Sequence, residues 1–269
     1  MESTCGQVVQ RDDSPTSAVN CLAFVLARNE EANIRRCLVA LSNAGISPVV
    51  LDSHSTDGTA DAARACGAQV ELYDYTNHHD ALEYICCVRT ERGLPVMVLD
   101  ADMVVSRDLL VEALELLQDG SVDVIQAPVA MCWEGTALRH GSLYPPKPFL
   151  FRGGQHYFVP AGHGERLRPD VRAAQTRNRL VHDDRKPFRH YLLTQLRYAD
   201  NLLTRASAGR LTLRDRLRLR TPLLILLTPL VSLFGRGGTL DGRAGLGYAL
   251  DRLIAEAIML RQSLARERK

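Results

Sequence analysis

The chain has no C-x-x-C pair, no run of roughly 20 apolar residues, no internal repeat and no low-complexity tract, and each lack removes a class of protein. Seven cysteines, at positions 5, 21, 37, 66, 86, 87 and 132, are an odd number without metal-like spacing, so a disulfide framework is not expected. They lie mostly in apolar or helical stretches and read as small hydrophobes of a reducing, cytoplasmic protein. The apolar stretch 222–234 is too short to span a bilayer and holds Pro222 and Pro229. Residues 1–18 carry Glu2, Asp12 and Asp13 but no apolar run, which fits neither a signal peptide nor a transit peptide and reads as a loose tail. Aromatics make up only 6% of the chain and do not interleave its arginines, so nucleic acid is not an expected partner. What is present, 46% hydrophobic and 24% charged residues over 269 positions, is a globular composition.

The net charge of +2 hides two opposite halves. Residues 1–135 carry 8 Lys+Arg against 21 Asp+Glu, whereas residues 136–269 carry 25 against 10. An acidic half suits a cation site, and a basic half suits an anionic partner such as a phosphorylated acceptor or a lipid surface.

Apolar segments at 19–27, 48–51, 68–72 and 95–99 have strand length, and the stretches between them have helical character. Asn29 is placed to cap a helix running to about residue 44, in which Ile34, Leu38 and Leu41 recur at helical spacing. A second helix ends before Gly67, and residues 107–117 form a third with Leu109, Leu110, Ala113, Leu114 and Leu117 on its buried side. Residues 122–131 read as one further strand. The alternation predicts an α/β fold with a mostly parallel sheet. The polar residues after Ala27, Leu51 and Leu99 then fall at its carboxyl edge, where such sheets bind ligands. Residues 133–179 read as loops, 187–206 and 248–264 as amphipathic helices.

The string D-A-D at Asp100 to Asp102 directly follows an apolar strand, so two carboxylates can approach one hard divalent cation, Mg²⁺ or Mn²⁺, from a tight turn. Taken alone, a pair of solvated turn acids explains it as well. Two other strings add weight: A-R-N-E-E over residues 27–31 after the first strand, and V-V-L-D-S-H-S-T-D-G-T over 49–59 after the second. Together with L-D-A-D-M, in this order and spacing across residues 19–135, they resemble the nucleotide-sugar-binding half of family 2 glycosyltransferases with the GT-A fold.

The resemblance implies a donor pocket in which Asp52 contacts the nucleobase or ribose and Glu30 lines the same cavity. Ala27, Asn29, His54 and Ala101 border it. It implies that Asp100 and Asp102 hold ribose and metal-diphosphate, Asp102 being the direct ligand. In the S-T-D-G-T segment, Ser55 or Thr56 can cap the next helix, and Asp57 reads as loop structure. Where many relatives have a basic residue and Asn before the D-x-D strand, this chain has T-N-H-H-D at 76–80. His78 and His79 there read as surface or helix-start histidines rather than a zinc site.

In the second half, V-H-D-D-R-K-P-F over 181–188 with Q-L-R-Y-A over 195–199 resembles a bacterial branch of that family, and T-L-D-G-R-A-G-L over 239–246 resembles the tails of lipopolysaccharide-core transferases. The family's inverting reaction needs a carboxylate base. Asp183 and Asp184 are the leading candidates, with Glu165 of G-H-G-E as competitor. His182 and His163 suit a third metal ligand or a diphosphate donor, or equally loop histidines. Arg185 and Lys186 suit a leaving-group or acceptor phosphate, or a solvated basic turn. Arg210, Arg214, Arg216, Arg218 and Arg220 abut the apolar stretch 222–234, as in an interfacial segment on anionic lipid or a hairpin packed internally.

The expectation is therefore a loose tail (1–18), a nucleotide-sugar half (19–135), an acceptor and catalytic half (136–206) and a basic, apolar helical region (207–269). The implied activity is metal-dependent, inverting transfer of a hexose from a UDP-sugar, ahead of a GDP-sugar, to a hydroxyl of a cell-envelope glycan or lipid-linked acceptor. The same chemistry on a soluble natural product, and a non-catalytic nucleotide-binding regulator, are the alternatives. The place expected is the cytoplasm, peripheral on the inner face of the plasma membrane, with oligomers open.

Overall fold

The computed structural model describes residues 21–74, 78–161, 164–207, 211, 216 and 224–266. The N-terminal tail, Thr76, Asn77, His163, Arg210, Arg214, Arg218 and Arg220 lie outside them.

Four apolar segments become strands β1 (Leu22–Ala27), β2 (Val49–Asp52), β3 (Gln69–Leu72) and β4 (Pro95–Asp100). β1 pairs in parallel with β2 and β4, and β2 with β3. The crossovers carry helices α1 (Ile34–Asn43), α2 (Thr59–Ala65) and α3 (His78–Tyr84), the last continuing as a π-helical turn over Ile85–Arg89. Helices on both faces of the sheet explain why β1 is apolar without alternation. Ala23, Val25 and Ala27 pack with Ile34, Leu38 and Leu41 of α1, while Phe24 and Leu26 pack with Leu82 and Ile85 on the opposite face. Helix α4 (Arg107–Gln118) starts at Ser106, whose Oγ accepts from Leu109 N at 3.2 Å, and it buries Leu109, Leu110, Ala113 and Leu117.

The segment expected as a single strand over 122–131 is two, β6 (Val124–Ala127) and β7 (Val129–Trp133), after the short β5 (Met103–Val104). Pro128 separates them, because it has no N–H to continue the ladder. β6 stays in the central sheet, whereas β7 enters a second sheet of order β5-β13-β7-β8 with β8 (Thr136–Ala137) and β13 (Leu180–His182).

The stretch expected as loops, 133–179, also holds β9 (Lys147–Arg152), the hairpin β10 (Phe158–Ala161) and β11 (Gly164–Leu167), and β12 (Ala173–Gln175). β9 inserts antiparallel between β4 and β6, and its Phe149, Leu150 and Phe151 are fully buried. Pro145, Pro146 and Pro148 mask it in the sequence, since prolines mark loops. Pro148 is accommodated where the register with β6 shifts after Ile125. The resulting seven-stranded mixed sheet, order β12-β6-β9-β4-β1-β2-β3, takes strands from both halves of the chain.

Helix α5 (Phe188–Ser207) buries Ala199, Leu202 and Leu203. Helix α6 (Leu224–Leu230) passes through a π-helical turn (Val231–Gly235) and a 3₁₀ turn (Gly238–Asp241) into the 25-residue α7 (Gly242–Arg266). Among the described residues no helix is long and apolar enough to cross a membrane. Contacts from the 3₁₀ turn and from α7 hold the C-terminal segment to the rest of the chain. The Asp241 carboxylate accepts from the backbone N–H groups of Arg139, His140 and Gly141 at 2.8–3.1 Å. Trp133 Nε1 donates to Asp251 Oδ2 at 3.0 Å, and Tyr191 Oη donates to Asp251 O at 2.5 Å. Gly247 lies against the Trp133 ring so closely that a Cβ there would come within 2.2 Å of it.

Helix propensity alone makes Gly247→Ala stabilising by about 1 kcal/mol. The contact with Trp133 reverses the sign: the variant should lose about 1–3 kcal/mol in urea unfolding, read by the fluorescence of the single tryptophan. A gain in stability would show that α7 docks elsewhere.

Candidate active site

Three strand ends converge at one edge of the sheet. Ala27 stands in register with Asp52, and Asp100 closes β4 on the other side of β1. The loops after β1 and β2 are stitched together: Asn29 N donates to Ser55 Oγ at 2.8 Å, Thr56 N to Asn29 Oδ1 at 2.7 Å, and Glu30 N to Thr59 Oγ1 at 2.7 Å. Asn29, with φ 56°, occupies the left-handed region that Asn tolerates. It is therefore not the expected cap of α1; Asn33 holds the cap position, and the N–H groups of Asn33 and Ile34 both donate to Glu30 O at 2.8 Å.

Nor do Ser55 and Thr56 cap α2. Asp57 Oδ1 accepts from Thr59 N at 3.0 Å and from the Thr59 hydroxyl, and that hydroxyl, with the backbone N–H groups of Thr59 and Glu31, outweighs burial to lower the Asp57 carboxyl below the usual range. Ser55 instead holds the buried Asp52, donating from N to Oδ2 at 3.1 Å and from Oγ to Oδ1. His54 is exposed at the loop tip with φ 54°, and Ala101 is buried, its N–H donating to Leu26 O at 3.2 Å.

The two acids of the D-A-D turn have different surroundings. Asp100 Oδ1 meets His78 Nε2 at 3.1 Å, its Oδ2 accepts from Lys147 Nζ, and His78 Nδ1 lies 3.0 Å from Glu165 Oε1. Burial acts to raise the Asp100 carboxyl, but Lys147 and His78 hold it well below the carboxylate range. Burial lowers His78, and the two carboxylates overcome it and lift it to about 9, so the imidazole is cationic at neutral pH. Asp102 is raised, by burial first and by Asp100, against the pull of His182. Its Oδ2 lies 3.3 Å from His182 Nε2, and its Oδ1 is buried with no hydrogen-bond partner among the described residues. The antiparallel pair β13–β5 sets His182 opposite Met103, and Asp183 N donates to Asp102 O at 2.9 Å.

A third cluster is centred on Asn33. Its Nδ2 donates to Glu30 Oε2 and to Asp184 Oδ1, each at 2.8 Å, while its Oδ1 accepts from Arg185 N and Arg36 Nη2 at 2.8 Å. Lys186 Nζ binds Glu30 Oε1 at 2.5 Å and lies 3.6 Å from Asp184 Oδ1. Burial lifts the Glu30 carboxyl to about 7 despite Lys186, whereas Lys186 and the hydrogen bonds at Asp184 outweigh burial and lower that acid. Asp183 turns the other way, to Arg185 Nε at 2.7 Å and Arg36 Nε at 3.5 Å.

A divalent cation fits the donor chemistry at one point. The partnerless Asp102 oxygen, with the His182 imidazole beside it, offers an O and an N ligand. Among the described residues no group of three or more His, Cys, Asp or Glu side chains forms a cage. An ion held by one carboxylate and an imidazole would complete its shell with substrate phosphate and water, as Mg²⁺ and its kin do.

The structure thus gathers Glu30, Asp52, Asp100, Asp102, Glu165, His182, Asp184 and Lys186 at one edge, and turns the side chains of Asp183 and Arg185 toward α1 and toward Gly135. Three participants were not foreseen. His78 does start α3, but it is held between two carboxylates rather than at the surface, because α3 packs against the β10–β11 hairpin that carries Glu165. Lys147 arrives on the unforeseen β9, and Asn33 was hidden inside a helical pattern. A lysine between prolines and the His78–His79 pair were the sequence signals.

The profile of glycosyl transferase family 2 matches residues 23–164. An uncharacterized glycosyltransferase of Rickettsia bellii (strain RML369-C) is 31% identical over 90 residues, 32% of this chain and only 29% of the relative's own length. Among solved structures, the mannosyltransferase PcManGT from Pyrobaculum calidifontis, in complex with GDP-Man and Mn²⁺, superposes with a TM-score of 0.50 at 19% identity, covering 92% of this chain and 88% of its own. Glucosyl-3-phosphoglycerate synthase from Mycobacterium tuberculosis, in complex with Mg²⁺ and UDP, gives a TM-score of 0.46 at 19% identity, covering 69% and 79%.

Asn33 supports four groups at once, so Asn33→Ala should cost about 1–3 kcal/mol in urea unfolding. Asn43→Ala, at the exposed end of the same helix, should stay within about 0.5 kcal/mol. Equal effects of the two would show that the Asn33 network carries no stability.

Proposed function

This chain belongs to glycosyl transferase family 2, and from that premise we propose that it moves a hexose from a nucleotide-sugar donor to a hydroxyl acceptor, with a divalent cation and with inversion. Its mixed α/β architecture is the GT-A fold. The observation that carries the reading is the buried oxygen of Asp102 that has no partner among the described residues, beside His182, at the same sheet edge as Glu30 and Asp52. The Mn²⁺ complex with GDP-Man of the similarly folded mannosyltransferase is in keeping with it.

In this reading Asp52, fixed by Ser55, accepts from the nucleobase or ribose, and Glu30 lines the same pocket. Asp102 and His182 would hold the cation, which would supply positive charge against the diphosphate. Asp100 is anchored by Lys147 and His78 and keeps the turn rigid. Lys186 adds a positive charge near the diphosphate. Asp184 is the base: it is ionised at neutral pH, held by Asn33, and more open to solvent than Glu165 or Asp183. It takes the proton of the acceptor hydroxyl while that oxygen attacks the anomeric carbon. The donor is a UDP-sugar ahead of a GDP-sugar, and the acceptor a cell-envelope glycan or lipid-linked molecule. Residues 19–135 supply the nucleotide contacts, and 136–206 supply the acceptor side together with His182 and Lys186 at the diphosphate.

Calorimetry with UDP should show binding that Mn²⁺ strengthens, and Asp102→Ala should erase the Mn²⁺ dependence while the far-ultraviolet spectrum is unchanged. UDP affinity indifferent to Mn²⁺ in the wild type contradicts the metal assignment. Asp184→Asn should lower kcat by at least roughly 10²-fold with donor affinity retained. A dead Glu165→Gln beside an active Asp184→Asn would move the base to the β10–β11 hairpin.

A further inference from the structure

The hairpin formed by α6, the two turns after it and the start of α7 presents an apolar stripe that nothing among the described residues covers. Leu226, Leu230 and Phe234 follow one another at intervals of four, with Leu227 beside them, and Leu240 and Leu246 continue the surface. Phe234 is 69% and Leu240 76% exposed, and the other four are about half exposed or more. Six large apolar side chains in neighbouring, mutually packed elements exceed the scattered exposure of ordinary surfaces.

The charges bordering the stripe are positive. Arg236 and Arg243 are exposed on the same turns, whereas Asp241 between them is spent on three backbone N–H groups of residues 139–141. In the sequence, Arg210, Arg214, Arg216, Arg218 and Arg220 precede α6 with Asp215 as the one acid among residues 210–220. Apolar side chains rimmed by arginine match a bilayer surface with anionic headgroups, the former entering the acyl boundary and the latter meeting phosphate. A second copy of the same face would set arginine against arginine.

We propose that this hairpin docks the protein on an anionic lipid surface, lying in the interface rather than crossing it. The hairpin is no loose appendage. Gly238 and Gly245 approach so closely that a Cβ on Gly245 would reach within 1.9 Å of Gly238 O, and Trp133, Asp251 and Tyr191 join α7 to β7 and α5. β7 pairs with β13, which carries His182, and α5 follows directly on Lys186. Docking therefore fixes how the crevice is presented to the membrane. The proposal does not depend on sugar transfer, since lipid binding is read without donor or acceptor.

The test is co-sedimentation of the full chain with vesicles of phosphatidylcholine alone and of equal phosphatidylcholine and phosphatidylglycerol. Binding is expected to the anionic vesicles and to fall with salt. Phe234→Gln with Leu240→Gln should weaken it about tenfold or more, and Arg236→Gln with Arg243→Gln by roughly fivefold per charge. Both pairs are exposed, and an unchanged urea midpoint confirms folding. No vesicle binding, equal binding to neutral vesicles, or variants that bind like the wild type would each overturn the proposal. So would a dimer that Phe234→Gln dissociates in light scattering while vesicles stay unbound, which would assign the stripe to a second copy.

Discussion

Glu30, Asp100, Asp102, Glu165 and Asp184 share one crevice at the carboxyl edge of the sheet, and the repulsion among them is the constraint around which the neighbouring structure is built. Two like charges about 4 Å apart cost about 4 kcal/mol at an effective dielectric of about 20, so such a cluster persists only with cations in it. Lys147, Lys186 and His78 supply them, each raised against the opposing effect of burial by the carboxylates it faces. The chain has three lysines among 33 basic residues, and two of the three stand here. Elsewhere arginine serves. A compact ammonium on a flexible stem reaches a buried carboxylate where a planar guanidinium would need more room.

This pairing divides the labour between two acids that a motif treats alike. Asp100 is saturated on both oxygens and kept ionised, which makes it an anchor for the turn. Asp102, two positions on, is pushed upward by burial and by that same neighbour, and keeps one oxygen without a partner among the described residues. Environments that drive neighbouring titratable groups apart are how one site obtains distinct roles from one chemistry.

The second sheet has a corresponding mechanical part. Pro128 diverts the chain from β6 into β7, which pairs with β13 on one side and β8 on the other and contacts α7 through its own Trp133. His182, the helix α5 and the C-terminal hairpin are thereby held to one frame.

The sequence by itself determined the alternating strands and helices up to α4, because each strand buried on both faces must be continuously apolar and each helix must repeat its apolar residues at three and four. It also determined that Asp52 and the Asp100–Asp102 turn lie at the carboxyl edge, since parallel connections allow no other end. It did not disclose β9, whose prolines mimic a loop, nor the division of 122–131 at Pro128. Asn29 and Ser55 resembled helix caps, yet tertiary contact between two loops used both for stitching and left Asn33 and Asp57 at the helix starts. Only the folded chain decided that His182 meets Asp102 and that His78 meets Asp100 and Glu165, residues 80, 22 and 87 positions apart, and that Asp183 turns away while Asp184 faces inward. Periodicity reports which face of an element is buried. Which charged side chain stands opposite another depends on how separate elements pack, and local pattern carries no record of that.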